Sequence, residues 1–162
     1  MYNLIALYTS GMFPKSMALK PNPMLQLDNQ LCFALYSTSL AMTKLYKPLL
    51  AELGLTYPQY LAMLALWEQD GQMVSELGER LYLDSGTLTP LLKRLEAAGY
   101  ISRLRDVQDE RRVHITLSAA GRKLKARAAK IPGCILSASQ CALPELAALT
   151  SQLQTLRQRL AA

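Results

Sequence analysis

The sequence predicts a mainly α fold with a small β element, and three observations predict it. Two short amphipathic helical patterns joined by a tight turn lie in residues 74–97, two alternating β-like runs follow them, and long leucine-bearing helical patterns flank the whole. Together they describe a winged helix-turn-helix with N- and C-terminal dimerisation helices, an architecture that points to double-stranded DNA.

In the first short helix Val74, Leu77 and Leu81 form one apolar stripe, and in the second Leu88, Leu91, Leu92 and Leu95 form another. Between them Asp84 or Ser85 is placed to accept hydrogen bonds from the free N–H groups that open the second helix. That helix turns Gly86, Thr89, Pro90, Lys93, Arg94 and Ala97 away from its leucines, and Ser85 and Thr87 in its first turn are further candidates for DNA contact. Taken alone this is an ordinary solvated face, but its small, hydroxyl and cationic side chains also suit a major groove.

The segments that follow give the face its second meaning. Gly99 stops the helix, residues 100–105 alternate, and residues 113–117 alternate again, so a β-hairpin wing is expected. Its loop, 106–112, carries three carboxylates and two arginines, a composition that also suits a solvated hairpin tip. Geometry would make it a reader of DNA if Asp109 braces Arg111 while the guanidinium enters a narrow minor groove, with Arg105 at the wing's base. Residues 93–130 hold eleven Lys and Arg against four acidic side chains, a local +7 in a chain whose total is +6. Such a focused patch is what phosphate contacts require.

Length and composition bound the rest. At 162 residues, about half of them apolar, one domain is expected over residues 27–162, preceded by a flexible arm over 1–26 in which Pro14, Pro21 and Pro23 fall; Met17 and Met24 leave room for a later start. The longest wholly apolar run, 61–67, is far short of the ~20 residues that span a bilayer, and the N-terminal stretch lacks the features of a signal peptide, so a cytoplasmic protein without a membrane partner is expected. Leu146, Leu149, Leu153, Leu156 and Leu160 recur at three and four, the pattern of a helix packed along another helix. A homodimer is the economical explanation, because two recognition helices ~34 Å apart read a palindromic operator. Packing on the chain's own core is the alternative. The other flank is a long helix over 28–53 ending before Gly54, after which Pro58 opens the next helix with Tyr57 just before it.

Cys32 is placed about one turn inside that first long helix, where the positive end of the helix favours thiolate over thiol. A cysteine on an apolar helix is by default an inert core residue; a thiolate with phenol donors around it is a candidate peroxide sensor. Tyr36 follows one turn later, Tyr57 opens the next helix, and Tyr46 lies on the face of Cys32 but ~21 Å along the helix, within reach only of a crossing partner's cysteine. Cys134 and Cys141 are candidate resolving thiols, able to convert a sulfenic acid into a disulfide. Three cysteines do not form a structural disulfide framework, and the lone His114 sits in no cluster with zinc spacing, so neither a metal nor a cofactor is expected.

The chain resembles the multiple-antibiotic-resistance-type regulators, and within them the organic hydroperoxide resistance regulators. The resemblance covers residues 27–160 and rests on Leu27-Asp28-Asn29-Gln30-Leu31-Cys32-Phe33, on Leu55-Thr56-Tyr57-Pro58-Gln59-Tyr60, on the segment 84–96 and on Asp109-Glu110-Arg111-Arg112. It implies a peroxidatic Cys32, Tyr46 and Tyr57 bonded to it across the dimer, and a repressor of an organic-hydroperoxide peroxidase gene that leaves DNA on oxidation. It also implies a resolving cysteine four residues before Cys141, where this chain has Ser137, so Cys141, Cys134 or a small external thiol is left for that step. Phe33 and Met63 near the sensor would favour bulky organic peroxides. Two other functions fit the residues: a same-fold regulator sensing a phenolic ligand in a crevice near Trp67, and a thiol-dependent peroxidase. The peroxidase reading lacks a Cys-x-x-Cys recycling pair and leaves the wing unused, so no enzyme is expected.

Overall fold

The computed structural model describes residues 22–106, 109 and 112–161. The expected arm therefore lies mostly outside the described residues. Its last part forms a 3-10 turn, Pro23–Leu25, in which Asn22 Oδ1 accepts the Met24 N–H at 3.0 Å. A second 3-10 turn, Leu27–Asn29, precedes helix α1 (Leu31–Ala51). The helix starts three residues later than the expected Asp28, for a local reason. Gln30 Nε2 donates to the Met24 carbonyl at 2.6 Å, and Asn29 Nδ2 donates to the Pro23 carbonyl at 2.9 Å. These side chains fold the segment back on itself in tight turns, and Cys32 becomes the second residue of α1 rather than one a full turn inside it.

The chain divides into two compact units, one ending at Ser39 and one comprising Leu40–Ala162. In the second unit α1 ends where Gly54, at φ 68°, turns the chain and the Leu55 N–H returns to the Leu50 carbonyl at 3.1 Å. Helix α2 (Tyr57–Glu68) follows, with Pro58 in its first turn and the Thr56 N–H held by Gln59 Oε1 at 2.8 Å. Tyr60, Ala62, Met63, Ala65 and Leu66 of α2 are buried. Met63 is wholly buried in this core, so the expectation that it presents an apolar surface to a peroxide is corrected.

Next come β1 (Gln72–Met73), α3 (Val74–Leu81), α4 (Ser85–Ala97), β2 (Ile101–Arg105) and β3 (Val113–Leu117). Both expected leucine stripes face inward: Leu77, Leu88, Leu91, Leu92 and Leu95 are buried, with Val74 and Leu81 packed against them. The sheet has three antiparallel strands in the order β1-β3-β2, with Ile101 opposite Leu117 and Gln72 opposite Ile115. The strand that the sequence did not announce, β1, is anchored by polar contacts. Gln72 is buried because its Nε2 donates to the Ala65 carbonyl at 2.9 Å, and Asp70 Oδ1 accepts the Leu117 N–H at 2.7 Å.

Helix α5 (Ala119–Ala128) begins at once after β3, capped by Ser118, whose Oγ accepts the Gly121 N–H at 3.0 Å. A Cβ built on Gly121 would lie 2.0 Å from the Tyr100 carbonyl oxygen, so only glycine lets α5 seat against the root of the hairpin. Gly121→Ala is therefore expected to lower stability on the order of 1–3 kcal/mol, read as a lower midpoint in urea denaturation; an unchanged midpoint would contradict this seating. Helices α6 (Ile131–Ser139) and α7 (Leu143–Leu160) complete the chain. No residue of α7 is buried. No helix among the described residues is long and apolar enough to cross a membrane.

Candidate redox site and nucleic-acid interface

Helices α3 and α4 meet at a turn fixed by two local devices. Tyr82 adopts a left-handed conformation, φ 55°, and the Leu83 N–H closes on the Gly78 carbonyl at 3.0 Å. Of the two candidate caps for α4, Asp84 is the one used: Oδ1 accepts the Thr87 N–H and Oδ2 accepts the Thr87 hydroxyl, both at 2.9 Å. These hydrogen bonds hold the Asp84 carboxyl below the usual carboxylate range. Thr87 thereby has its hydroxyl hydrogen committed and its oxygen left as an acceptor. Ser85, Gly86, Pro90, Lys93, Arg94 and Ala97 are exposed on the same helix, and Thr89 is half-buried.

The wing hairpin is only partly within the described residues, and Arg111 lies outside them. Asp109 Oδ2 is 3.6 Å from Arg112 Nε, and the Arg112 N–H donates to the Asp109 carbonyl at 2.8 Å, so the arginine next to Arg111 is one that Asp109 braces. Arg105 ends β2 and is exposed.

Much of the basic run serves the fold. Arg103 pairs with Glu96, Arg122 bonds the Leu117 carbonyl at 2.7 Å, Lys125 bonds the Trp67 carbonyl at 3.0 Å, and Arg127 and Lys130 bond Glu52. The Lys130 ammonium also holds the Glu52 carboxyl below its ordinary range. The local +7 thus overstates the charge free for phosphates; among the described residues of the run, Lys93, Arg94, Arg105 and Lys123 are exposed.

The predicted sensor residues fall into two sets. Cys32 and Tyr36 belong to the unit that ends at Ser39, and both are exposed in the single chain. Tyr46 and Tyr57 belong to the other unit and are brought together there, with ring centroids 4.7 Å apart. Tyr60, which sequence reasoning missed, joins them at 6.0 Å from Tyr46; its i, i+3 spacing from Tyr57 was the available signal. Burial, then the neighbouring Tyr57 and Tyr60, push the Tyr46 phenol up to about 12, and burial raises Tyr57 and Tyr60 as well. Tyr46 and Tyr57 therefore stay protonated and able to donate at neutral pH, and Tyr60 packs behind them.

The sign of this shift gives a prediction. A folded phenol near 12 against 10.0 for the free group contributes stability that is whole below pH 10 and lost as pH rises through 12. An ultraviolet titration should show a late class of tyrosinate that loses one member in Tyr46→Phe; a single class near 10 would contradict the burial argument.

Cys134 and Cys141 are both free and exposed. Cys134 lies in α6, and Cys141 lies in the link to α7, where its thiol donates to the Ser139 carbonyl at 3.3 Å. The crevice beside Trp67, lined by Tyr60, Leu64, Lys125, Ala128 and Pro132, has a volume of about 200 Å³. That is below the ~300–1,000 Å³ common for organic ligands, and Trp67 Nε1 is already committed to the Gly121 carbonyl at 2.9 Å.

The organic hydroperoxide resistance transcriptional regulator of Bacillus subtilis is 54% identical over 136 residues, 84% of this chain and 92% of that protein. The chain belongs to the organic hydroperoxide resistance regulator family. Residues 44–128 also match the model of the transcriptional regulator SarA/Rot family. Among solved structures, reduced AbfR of Staphylococcus epidermidis bound to DNA superposes with a TM-score of 0.72 at 34% identity, covering 86% of this chain and 97% of that one. Disulfide-formed AbfR superposes less closely, with a TM-score of 0.58 at 36% identity over 85% of this chain and 92% of that one. The fold of this chain is thus that of the winged-helix regulators.

Proposed function

We infer that this chain is a dimeric, DNA-binding repressor that senses organic hydroperoxides through Cys32 and releases a palindromic operator when that thiol is oxidised. The observation that carries the reading is the exposed thiol of Cys32 in the first turn of α1, on a chain that is otherwise a winged helix-turn-helix. In the first turn the backbone N–H groups have no intrahelical partner, and they remain available to hydrogen-bond an anion. The thiolate attacks one oxygen of the hydroperoxide. The O–O bond breaks, sulfur loses two electrons and becomes a sulfenic acid, and the alkoxide takes a proton to leave as the alcohol.

Tyr46 and Tyr57, with protonated phenols, are donors suited to the thiolate of the partner subunit's copy, and Tyr36 supports the same site one turn from Cys32. The sulfenic acid then condenses with a second thiol, losing water to form a disulfide. Cys141 and Cys134 are the internal candidates, and a small external thiol is the third; an internal bond needs Cα atoms within ~7 Å. On the DNA side Ser85, Thr87, Thr89, Lys93 and Arg94 of α4 face the major groove, while Arg105, Asp109 and Arg111 belong to the wing. Signal and operator both point to a cytoplasmic protein, and oxidation here is stoichiometric signalling rather than turnover.

The test is operator binding before and after one equivalent of organic hydroperoxide per subunit, then after a dithiol reductant. Reversible loss of binding is expected. Binding that is indifferent to oxidant would overturn the sensor reading and favour the ligand-sensing regulator, and repeated turnover of peroxide without change in binding would favour a peroxidase.

A further inference from the structure

Tyr60 and Trp67 stand between the phenol pair and the root of the wing, and the thiol chemistry uses neither. The Tyr60 ring lies 6.0 Å from Tyr46 on one side and meets Trp67 edge-on at 6.3 Å on the other. Both rings are buried. Trp67 Nε1 then donates at 2.9 Å, in a buried setting, to the carbonyl of Gly121 in the first turn of α5. Gly121 has no slack, since the space its Cβ would take is filled by the Tyr100 carbonyl. That same Tyr100 carbonyl accepts the Ser118 N–H at 3.0 Å, and the Ser118 hydroxyl donates to the Gly99 carbonyl at 2.6 Å, so residues 99–100, which open β2, and residues 118–121, which follow β3, move only together.

We infer that Tyr60 and Trp67 are positioning residues that couple the state of the Tyr46–Tyr57 pair to the wing, through ring contact and the Trp67–Gly121 hydrogen bond. The inference rests on the sensor reading above. Close-packed rings pass a displacement to their neighbours instead of absorbing it, so when Tyr46 changes partner on oxidation, Tyr60 and then Trp67 shift against it. The hydrogen bond delivers that shift to α5, and the filled space at Gly121 passes it to both strands of the hairpin.

The experiment compares wild type with Trp67→Phe, which keeps a buried ring but lacks the N–H, and with Tyr60→Leu, which removes the middle ring. For each, the mass of the Cys32 peptide gives the extent of oxidation, and operator binding is measured in the reduced and oxidised states. Trp67 is the chain's one tryptophan, so its emission reports the relay in wild type and in Tyr60→Leu. Both variants are expected to bind operator within about threefold of wild type when reduced and to oxidise Cys32 to the same extent. The ratio of oxidised to reduced dissociation constants should nevertheless shrink by roughly tenfold. The oxidation-dependent change in tryptophan emission should be present in wild type and lost in Tyr60→Leu. A variant that oxidises at Cys32 and releases operator with the wild-type ratio overturns the coupling. Failure of the wild type itself to release operator overturns the sensor reading instead, and the coupling with it.

Discussion

Cys32→Ser is expected to bind the operator as wild type does and to keep it after organic hydroperoxide. Serine preserves the size and the place in the first turn of α1, so neither helix nor winged unit is disturbed. What it lacks is a polarizable, ionisable sulfur that can accept the peroxide oxygen. In wild type, oxidation should carry binding toward the nonspecific level, a loss on the order of a thousandfold, whereas the variant should show no loss. Release by Cys32→Ser at wild-type peroxide concentrations would move the sensor to Cys134 or Cys141, which are also exposed.

Leu153→Asp is expected to leave a folded monomer that binds DNA poorly. Leu149 is 50% exposed and Leu153 is 37% exposed, and together with Leu146 and Leu156 they form one stripe along a helix with no buried residue. Each leucine stripped of water by a partner helix is worth about 1.5–3 kcal/mol, and an aspartate in the seam adds the cost of a desolvated charge. The core of the winged unit does not include Leu153, so circular dichroism should be unchanged. Loss of the partner unlinks the two half-sites and removes roughly half of the operator binding free energy. Light scattering that shows an intact dimer at micromolar concentration would mean that α7 does not form the seam.

The parts of the fold legible in the sequence were those with a long period. Leu88, Leu91, Leu92 and Leu95 repeat over two turns of α4, and all four are buried; residues 113–117 alternate, and they form β3 with the expected bounds. What escaped notice was short or held by polar contacts. Strand β1 is two residues long and depends on Gln72 and Asp70 bonding to residues far from them in sequence. The start of α1 was set by Gln30 and Asn29 reaching back to Met24 and Pro23, contacts with no periodic signature. Helices α5 and α6 carry no long stripe in the sequence because Gly121, Pro132 and Gly133 interrupt it, and Gly121 is there for close approach.

The candidate site was legible in its residue types more than in its arrangement. Composition found the basic run but not that Arg122, Lys125, Arg127 and Lys130 are held by carbonyls and carboxylates of the fold. It found Tyr46 and Tyr57, whereas the third member of the cluster, Tyr60, came into view only once α1 and α2 were packed together.

The central claim is that oxidation of Cys32 and departure from DNA are one event. It is tested most directly by titrating the operator complex with organic hydroperoxide in sub-stoichiometric steps, measuring in the same samples the fraction of Cys32 modified by mass spectrometry and the fraction of operator still bound. The account predicts that release follows Cys32 modification step for step and that a dithiol reductant reverses both. Full modification of Cys32 with the operator still held, or release with Cys32 unmodified, would contradict it.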